Sequence, residues 1–201
     1  MFKQLVIASL LVSSVSFAKD AKKAAKAAPA AAAKIQVDPA TSKVVYLGKK
    51  VTGEHTGEVK VQDGQLAFEG DVLKSAEVTI DMTTINNTDL ADKEYNKKFV
   101  DHMNSDDFFS TTKFKTAKLV TKSVKKVKDN TYTITGDLTI KGKTSPVTFD
   151  ADATKESVKA VVKFDRTKYD IKYGSGQFFQ GLGDKMINDD VQLTVTLTAK
   201  K

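Results

Sequence analysis

Three observations predict an all-β fold, an eight-stranded antiparallel barrel with one short helical insertion. Beyond residue 34, apolar and polar residues alternate at period two along most of the chain. Short turn signals separate the runs, and no helical stripe is long enough to supply the crossovers that a parallel sheet requires. The alternation is clearest where Val191, Leu193, Val195 and Leu197 interleave with Gln192, Thr194, Thr196 and Thr198. It recurs in Tyr132, Ile134, Leu138 and Ile140, in Val147, Phe149, Ala151 and Ala153, in Val158, Ala160, Val162 and Phe164, and in Val78, Ile80 and Met82. Threonine is common on the opposite faces, in keeping with its strand propensity. Asp63-Gly64 reads as a hairpin turn between 58–62 and 65–69, with further turns at Asp129-Asn130, Gly142-Lys143 and Lys155-Glu156. Eight or nine strands result. Their unbroken series of hairpins favours an up-and-down barrel over a sandwich.

Two segments interrupt the rhythm. Asp89 to Asn104 is expected to be helical, with Asp89 as N-cap and Tyr95, Phe99 and Met103 on one stripe. It leads into Asp106-Asp107-Phe108-Phe109. The other segment, Tyr173 to Ile187, carries Phe178-Phe179 among several glycines. Long aromatic-bearing insertions in a chain otherwise joined by tight turns read as a mouth or lid. In each Phe pair, adjacent rings should point oppositely, one into the core and the other under a loop, at a mouth or against a ligand.

The first eighteen residues read as an export signal. Lys3 precedes an apolar stretch from Leu5 to Val15, and Ser16-Phe17-Ala18 places small residues where a signal peptidase reads. Residues 19–34, almost all Ala and Lys with Pro29 in the middle, form an expected spacer able to touch anionic lipid or another envelope polymer. Residues 35–201 form the barrel domain. The chain carries a formal charge of +7, but residues 1–34 hold six lysines and one acid, which leaves +2 for the domain. A nucleic-acid partner needs a basic stripe on the folded domain, and none is legible. The chain has no cysteine, so an exported domain must rely on its apolar core rather than on disulfides.

No catalytic constellation can be assembled from the sequence. Thiol chemistry is excluded, and the two histidines, His55 and His102, are far apart and lack metal-ligand spacing. The Gly174/Gly176 and Gly181/Gly183 pairs lack the spacing and the Lys-Ser/Thr of a phosphate loop. No cofactor and no metal are expected. His102, Asp165 and Arg166 are candidates for either a structural polar network or a contact to a ligand's head group. An eight-stranded barrel is either filled by side chains or left open for one small ligand. The moderate apolar residues and absence of tryptophan here are compatible with an elongated apolar cavity.

Several motifs carry a family resemblance. His102-Met103-Asn104-Ser105-Asp106-Asp107-Phe108-Phe109 resembles the His-Leu-x-Ser-x-Asp-Phe-Phe signature of the YceI-like family, and Gly136 to Val147 is similar to its Gly-Asp-Leu-Thr-Ile-x-Gly-x-Thr-x-Pro-Val hairpin. Asp165 to Ile171 resembles its Arg-x-x-(Phe/Trp)-Gly-Ile segment, and 51–57 and 182–187 resemble stretches of one branch. Two positions depart from the pattern. The early His-Ser pair is Thr41-Ser42 here, and Asp170 stands where the family has glycine. The resemblance implies a lipocalin-like, non-catalytic periplasmic barrel, often dimeric, that binds a polyisoprenoid or another long-chain amphiphile. On this combined reading the barrel contacts to ligand are Val78, Ile80, Leu138, Phe149 and Phe164. Those at the mouth are Phe99, His102, Phe108, Phe109, Arg166 and Phe178. The competing expectation is a packed barrel serving as a structural or interaction module, tethered by the basic spacer.

Overall fold

The computed structural model describes residues 32–201, so the expected export signal and all but the end of the expected spacer lie outside the described residues. Nine strands and one α-helix follow in chain order: β1 (Ala33–Gln36), β2 (Lys43–Lys50), β3 (Gly53–Glu69), β4 (Val72–Asp81), α1 (Lys93–Asn104), β5 (Thr116–Lys128), β6 (Thr131–Ile140), β7 (Lys143–Ala153), β8 (Ser157–Asp165) and β9 (Ile187–Thr198). From β2 to β9 each strand pairs antiparallel with the next, and β2 pairs with β9 to complete an eight-stranded ring. Closure removes the open sheet edges that would otherwise invite association. The ninth strand, β1, adds to the far half of β3 and begins at Ala33, within the segment read as spacer.

The alternation sorts as strand geometry requires. Along β6, Tyr132, Ile134, Leu138 and Ile140 are buried, while the threonines between them face outward. Those threonines bond across to β7: Thr131 and Thr133 donate to Asp152 and Asp150 (both 2.7 Å), and Thr139 meets Thr144 at 2.8 Å. Cross-strand pairs of this type contribute roughly 0.2–1 kcal/mol each.

Asp63-Gly64 is not a turn. β3 runs unbroken through it for seventeen residues, and Gln62 is a bulge: Val61 pairs with Ile80 and Asp63 with Thr79. The extra residue changes the parity of the strand, so Gly57, Val59 and Val61 face inward before it, and Gly64, Leu66 and Phe68 after it. In sequence a bulge and a turn both break an alternation. Gly64 is required there for close approach, since a Cβ would meet Val37 at 2.9 Å. The turn placed at Gly142-Lys143 is Lys141-Gly142, both with positive φ (49° and 69°), the geometry of a two-residue hairpin loop. The helix starts later than expected. Asp92 is its N-cap, accepting from the amides of Glu94 and Tyr95, whereas Asp89 is engaged elsewhere. Asp170 has φ 60°, the left-handed conformation that favours glycine.

The two ends of the barrel differ. One is plugged by Tyr132, Phe68 and Leu66, all at most 1% exposed, and is spanned by β1 and Val37, whose amide donates to the Gly64 carbonyl (2.8 Å). The Tyr132 hydroxyl accepts from the Leu73 amide (3.3 Å) and donates to the Asp71 carbonyl (3.2 Å), so this plug is polar-satisfied. The other end carries α1 and the loop 171–186. Between β4 and α1 the chain runs along the edge of β3 not paired with β2, where the Asn86 and Thr88 amides donate to the Glu58 and Thr56 carbonyls (3.1 and 3.0 Å). Asn86 also receives the Tyr46 hydroxyl on its carbonyl (2.6 Å), directly over Gly57.

A Cβ on Gly57 would collide with that Asn86 carbonyl and approach the Tyr46 hydroxyl oxygen at 2.5 Å. Gly57→Ala is therefore expected to lower stability by about 1–3 kcal/mol or more, read as a reduced urea midpoint at unchanged slope.

Candidate functional site

The barrel is hollow. A cavity of about 230 Å3 runs along its axis, just below the roughly 300–1,000 Å3 common among ligand pockets. Its floor is Leu73, Val158 and Leu197, above the Tyr132 plug. Its wall is made by inward residues of the strands, including Val78, Ile80, Leu138, Phe149, Phe164 and Leu193. The surface it presents is predominantly apolar. Small residues make the space: Ala76, Ala117 and Ala160 stand where larger side chains would meet across the axis. Empty cavities of apolar lining stay dry, so the space favours an apolar occupant.

At the helix-bearing end Phe99 and Met103 from α1 and Phe108 and Phe109 from the following turn lie over the cavity, and the exposed Lys49 and Lys50 border it. Phe109 contributes as well as Phe108, because Ser110 takes positive φ (48°) and the turn is compact rather than extended.

Arg166 reaches this end from the close of β8. Its side chain is 2% exposed and donates to the carbonyls of Asn188 (3.0 Å), Ile171 (2.9 Å), Tyr173 (2.8 Å) and Ile187 (3.1 Å), and to the Asp189 carboxylate (3.1 Å). Burial lowers its pKa from the usual arginine value, against the opposing pull of Asp189 and Asp165, and it remains a cation at neutral pH. Asp165 is not part of this fork. It caps the short turn 166–169 by accepting from the Thr167 amide and hydroxyl (2.9 and 2.6 Å). Arg166 thus pins the loop after β8 to the start of β9, and its donors are consumed in doing so.

Nine of the eleven expected contact residues line the cavity; His102 and Phe178 do not. His102 is directed away from it: its Nε2 lies 3.2 Å from Asp107, and its ring stands edge-on to Phe108 and Tyr173 (4.8 and 4.6 Å). Phe178 and Phe179 are each 49% exposed, so neither ring enters the core. They follow a turn in which both their amides donate to the Ser175 carbonyl, which makes the segment a protruding tip rather than a strand end.

His55, by contrast, borders the cavity and was not among the expected contacts. Its Nδ1 is 2.8 Å from Asp89, and its ring packs on Phe99 at 4.8 Å. Asp89 also accepts from the Thr56 amide (2.8 Å) and the Asn87 side chain (2.7 Å). Burial acts to raise the Asp89 pKa, but these hydrogen bonds and His55 together hold it below the usual carboxylate value. Nearby, burial pushes the Tyr46 hydroxyl up to about 12, with Asp89 adding to the shift. Tyr46 and His55 thus place polar atoms beside a mostly apolar wall. Among the described residues, no group of three or more His, Cys, Asp or Glu side chains is placed to hold a metal ion.

An eight-stranded barrel is either filled by its side chains or open to one small ligand, and this one encloses an axial, largely apolar cavity. The profile of the YceI-like domain matches residues 35–199, and the chain belongs to that family. It is 32% identical over 156 residues to a UPF0312 protein of Shewanella denitrificans, covering 77% of this chain and 75% of that one. UPF0312 proteins of Pseudomonas putida align over 47% of their length. Among solved structures, Burkholderia cenocepacia BcnA superposes with a TM-score of 0.65 at 28% identity, covering 82% of this chain and 99% of that one. A polyisoprenoid-binding domain from Saccharophagus degradans superposes with a TM-score of 0.55 at 12% identity, over 84% and 99%, and so shares the fold.

Two outcomes follow from this geometry. Arg166→Met removes the guanidinium from Asp189 Oδ1 and from four carbonyls, and should cost about 3–5 kcal/mol in chemical denaturation. The depressed Asp89 pKa means that its contribution is complete above the unfolded value of about 3.9 and is lost as pH falls through the folded value. The stability gap between the parent and Asp89→Asn should accordingly be present at pH 7 and shrink on acidification below pH ~4.

Proposed function

We propose that this protein is an exported carrier that holds the apolar chain of one isoprenoid, or of another long-chain amphiphile, inside its barrel. The observation that supports this most is the blind apolar cavity, closed by Tyr132 and Phe68 at one end and bordered by Lys49, Lys50 and His55 at the other. Such a tube matches a molecule with a long apolar tail and a polar head. Each methylene transferred from water contributes about 0.8 kcal/mol, enough over several carbons to offset the ordering of a flexible chain. Binding of this kind needs neither metal nor covalent chemistry. Family membership and the binding property named for the Saccharophagus domain point the same way. Export rests on the signal pattern of residues 1–18.

The tail lies between Val78, Leu138, Phe149 and Leu193, and the head reaches the polar border, where His55 Nε2 and the two lysines offer hydrogen bonds. A packed-barrel module has less support, because its premise is a filled interior.

The reading is tested by native mass spectrometry of residues 19–201 followed by organic extraction. A stoichiometric long-chain compound is expected; a clean apo mass with no uptake of added isoprenoid or fatty amphiphile would overturn it. Ala160→Phe places a ring in the cavity and should reduce uptake about tenfold or more while leaving the barrel folded.

A further inference from the structure

Five of the exposed large apolar side chains gather at the open end of the barrel: Val51, Tyr173, Phe178, Phe179 and Met186. They belong to two loops joined by the bond from the Val51 amide to the Met186 carbonyl (3.1 Å), the longer loop being closed on itself by the Ile187 amide donating to the Gly174 carbonyl (2.8 Å). The tip bearing Phe178 and Phe179 has a firm base. Ser175 is fully buried and donates to Asp189 (3.0 Å), the carboxylate that Arg166 grips. The fold makes no use of the two rings, which neither line the cavity nor join the core.

Cations flank these rings. Lys172 Nζ stands 5.1 Å from the Phe178 ring centre, Lys50 precedes Val51, and Lys185 precedes Met186. Lys172 is paired with Asp170, whereas among the described residues neither Lys50 nor Lys185 takes part in an ion pair. Exposed aromatic rings edged by long ammonium side chains are suited to a membrane–water interface. The rings enter the headgroup layer while the lysines reach lipid phosphates.

We infer that the Phe178–Phe179 tip docks the open end of the barrel onto a bilayer surface containing anionic lipid. Docked there, the cavity border at Lys49 and Lys50 faces the membrane, and an apolar chain can pass between bilayer and barrel with little exposure to water. The transfer role rests on the carrier reading; the docking itself does not, and the two are tested separately.

The chain contains no tryptophan, so Phe178→Trp creates a sole reporter at the tip. Residues 19–201 carrying this change are mixed with vesicles of phosphatidylcholine and a minor fraction of phosphatidylglycerol. A blue-shifted emission and co-flotation with the vesicles are expected. In the otherwise unmodified protein, Phe178→Ser combined with Phe179→Ser should weaken flotation about tenfold or more. Uptake of a fatty amphiphile from detergent micelles should be unchanged by that pair. Unshifted emission, or equal flotation of the double variant, would overturn the docking. So would flotation that disappears only when Lys22, Lys23 and Lys26 are changed to Ala, which would assign the contact to the spacer. A dimer dissociated by the double variant, with no vesicle binding by the parent, would give the tip to a second copy instead. Vesicle binding without any amphiphile uptake would sustain the docking and count against the carrier reading alone.

Discussion

The bend of β3 is the constraint on which the rest of the barrel depends. One strand must pair with β2 along its first half and with β4 along its second, and it changes partner within a single unbroken run. The Gln62 bulge provides the turn in direction and restores the inward face after it. Without the parity change, Leu66 and Phe68 would point outward and the lower plug would be lost. The near half of β3 then lacks a strand on its edge away from β2, and the segment from Thr84 to Asp89 fills that role with side-chain and backbone bonds. Asp89, placed by this segment, brings His55 to the edge of the cavity. The polar border of the site is thus a consequence of how the sheet closes.

Arg166 performs a similar service at the opposite side of the mouth. A buried guanidinium is costly to desolvate, and it is tolerated here because backbone carbonyls and Asp189 use its donors. The result is a loop of irregular backbone tied at its base to the start of β9. Its outer tip can carry aromatic rings into solvent without loosening the wall below. Rigidity at the base and exposure at the tip come from the same network, since Asp189 binds both Arg166 and Ser175.

The barrel was legible because period-two alternation is a local property. In β6, β7, β8 and β9 each inward residue is set by its immediate neighbours, and the cavity wall they form follows directly. The bulge was not, because Asp63-Gly64 has turn chemistry and only pairing with β4 and the close approach of Val37 explain the glycine. His55 was missed for a related reason: its carboxylate partner lies thirty-four residues away, on a segment that looked like a helix start. Arg166 was visible as a polar residue in an apolar setting, but its partners are mostly carbonyls, which carry no mark in sequence. Adjacent phenylalanines could be assigned opposite faces only if they lay on strands. Neither pair does, so Phe108 and Phe109 both turn inward and Phe178 and Phe179 both turn outward.

The plug at Tyr132 makes the barrel a tube with one door. Whatever occupies it must back out along the path by which it entered, tail last, and cannot be relayed through to the far side. For the proposed long-chain ligand, residence time in such a tube would grow with the length of chain to be withdrawn, because each successive carbon would have to be returned to water or handed to an apolar acceptor at the door. On the proposed carrier role, chain length would set a clock, and an acceptor pressed against the entrance would reset it.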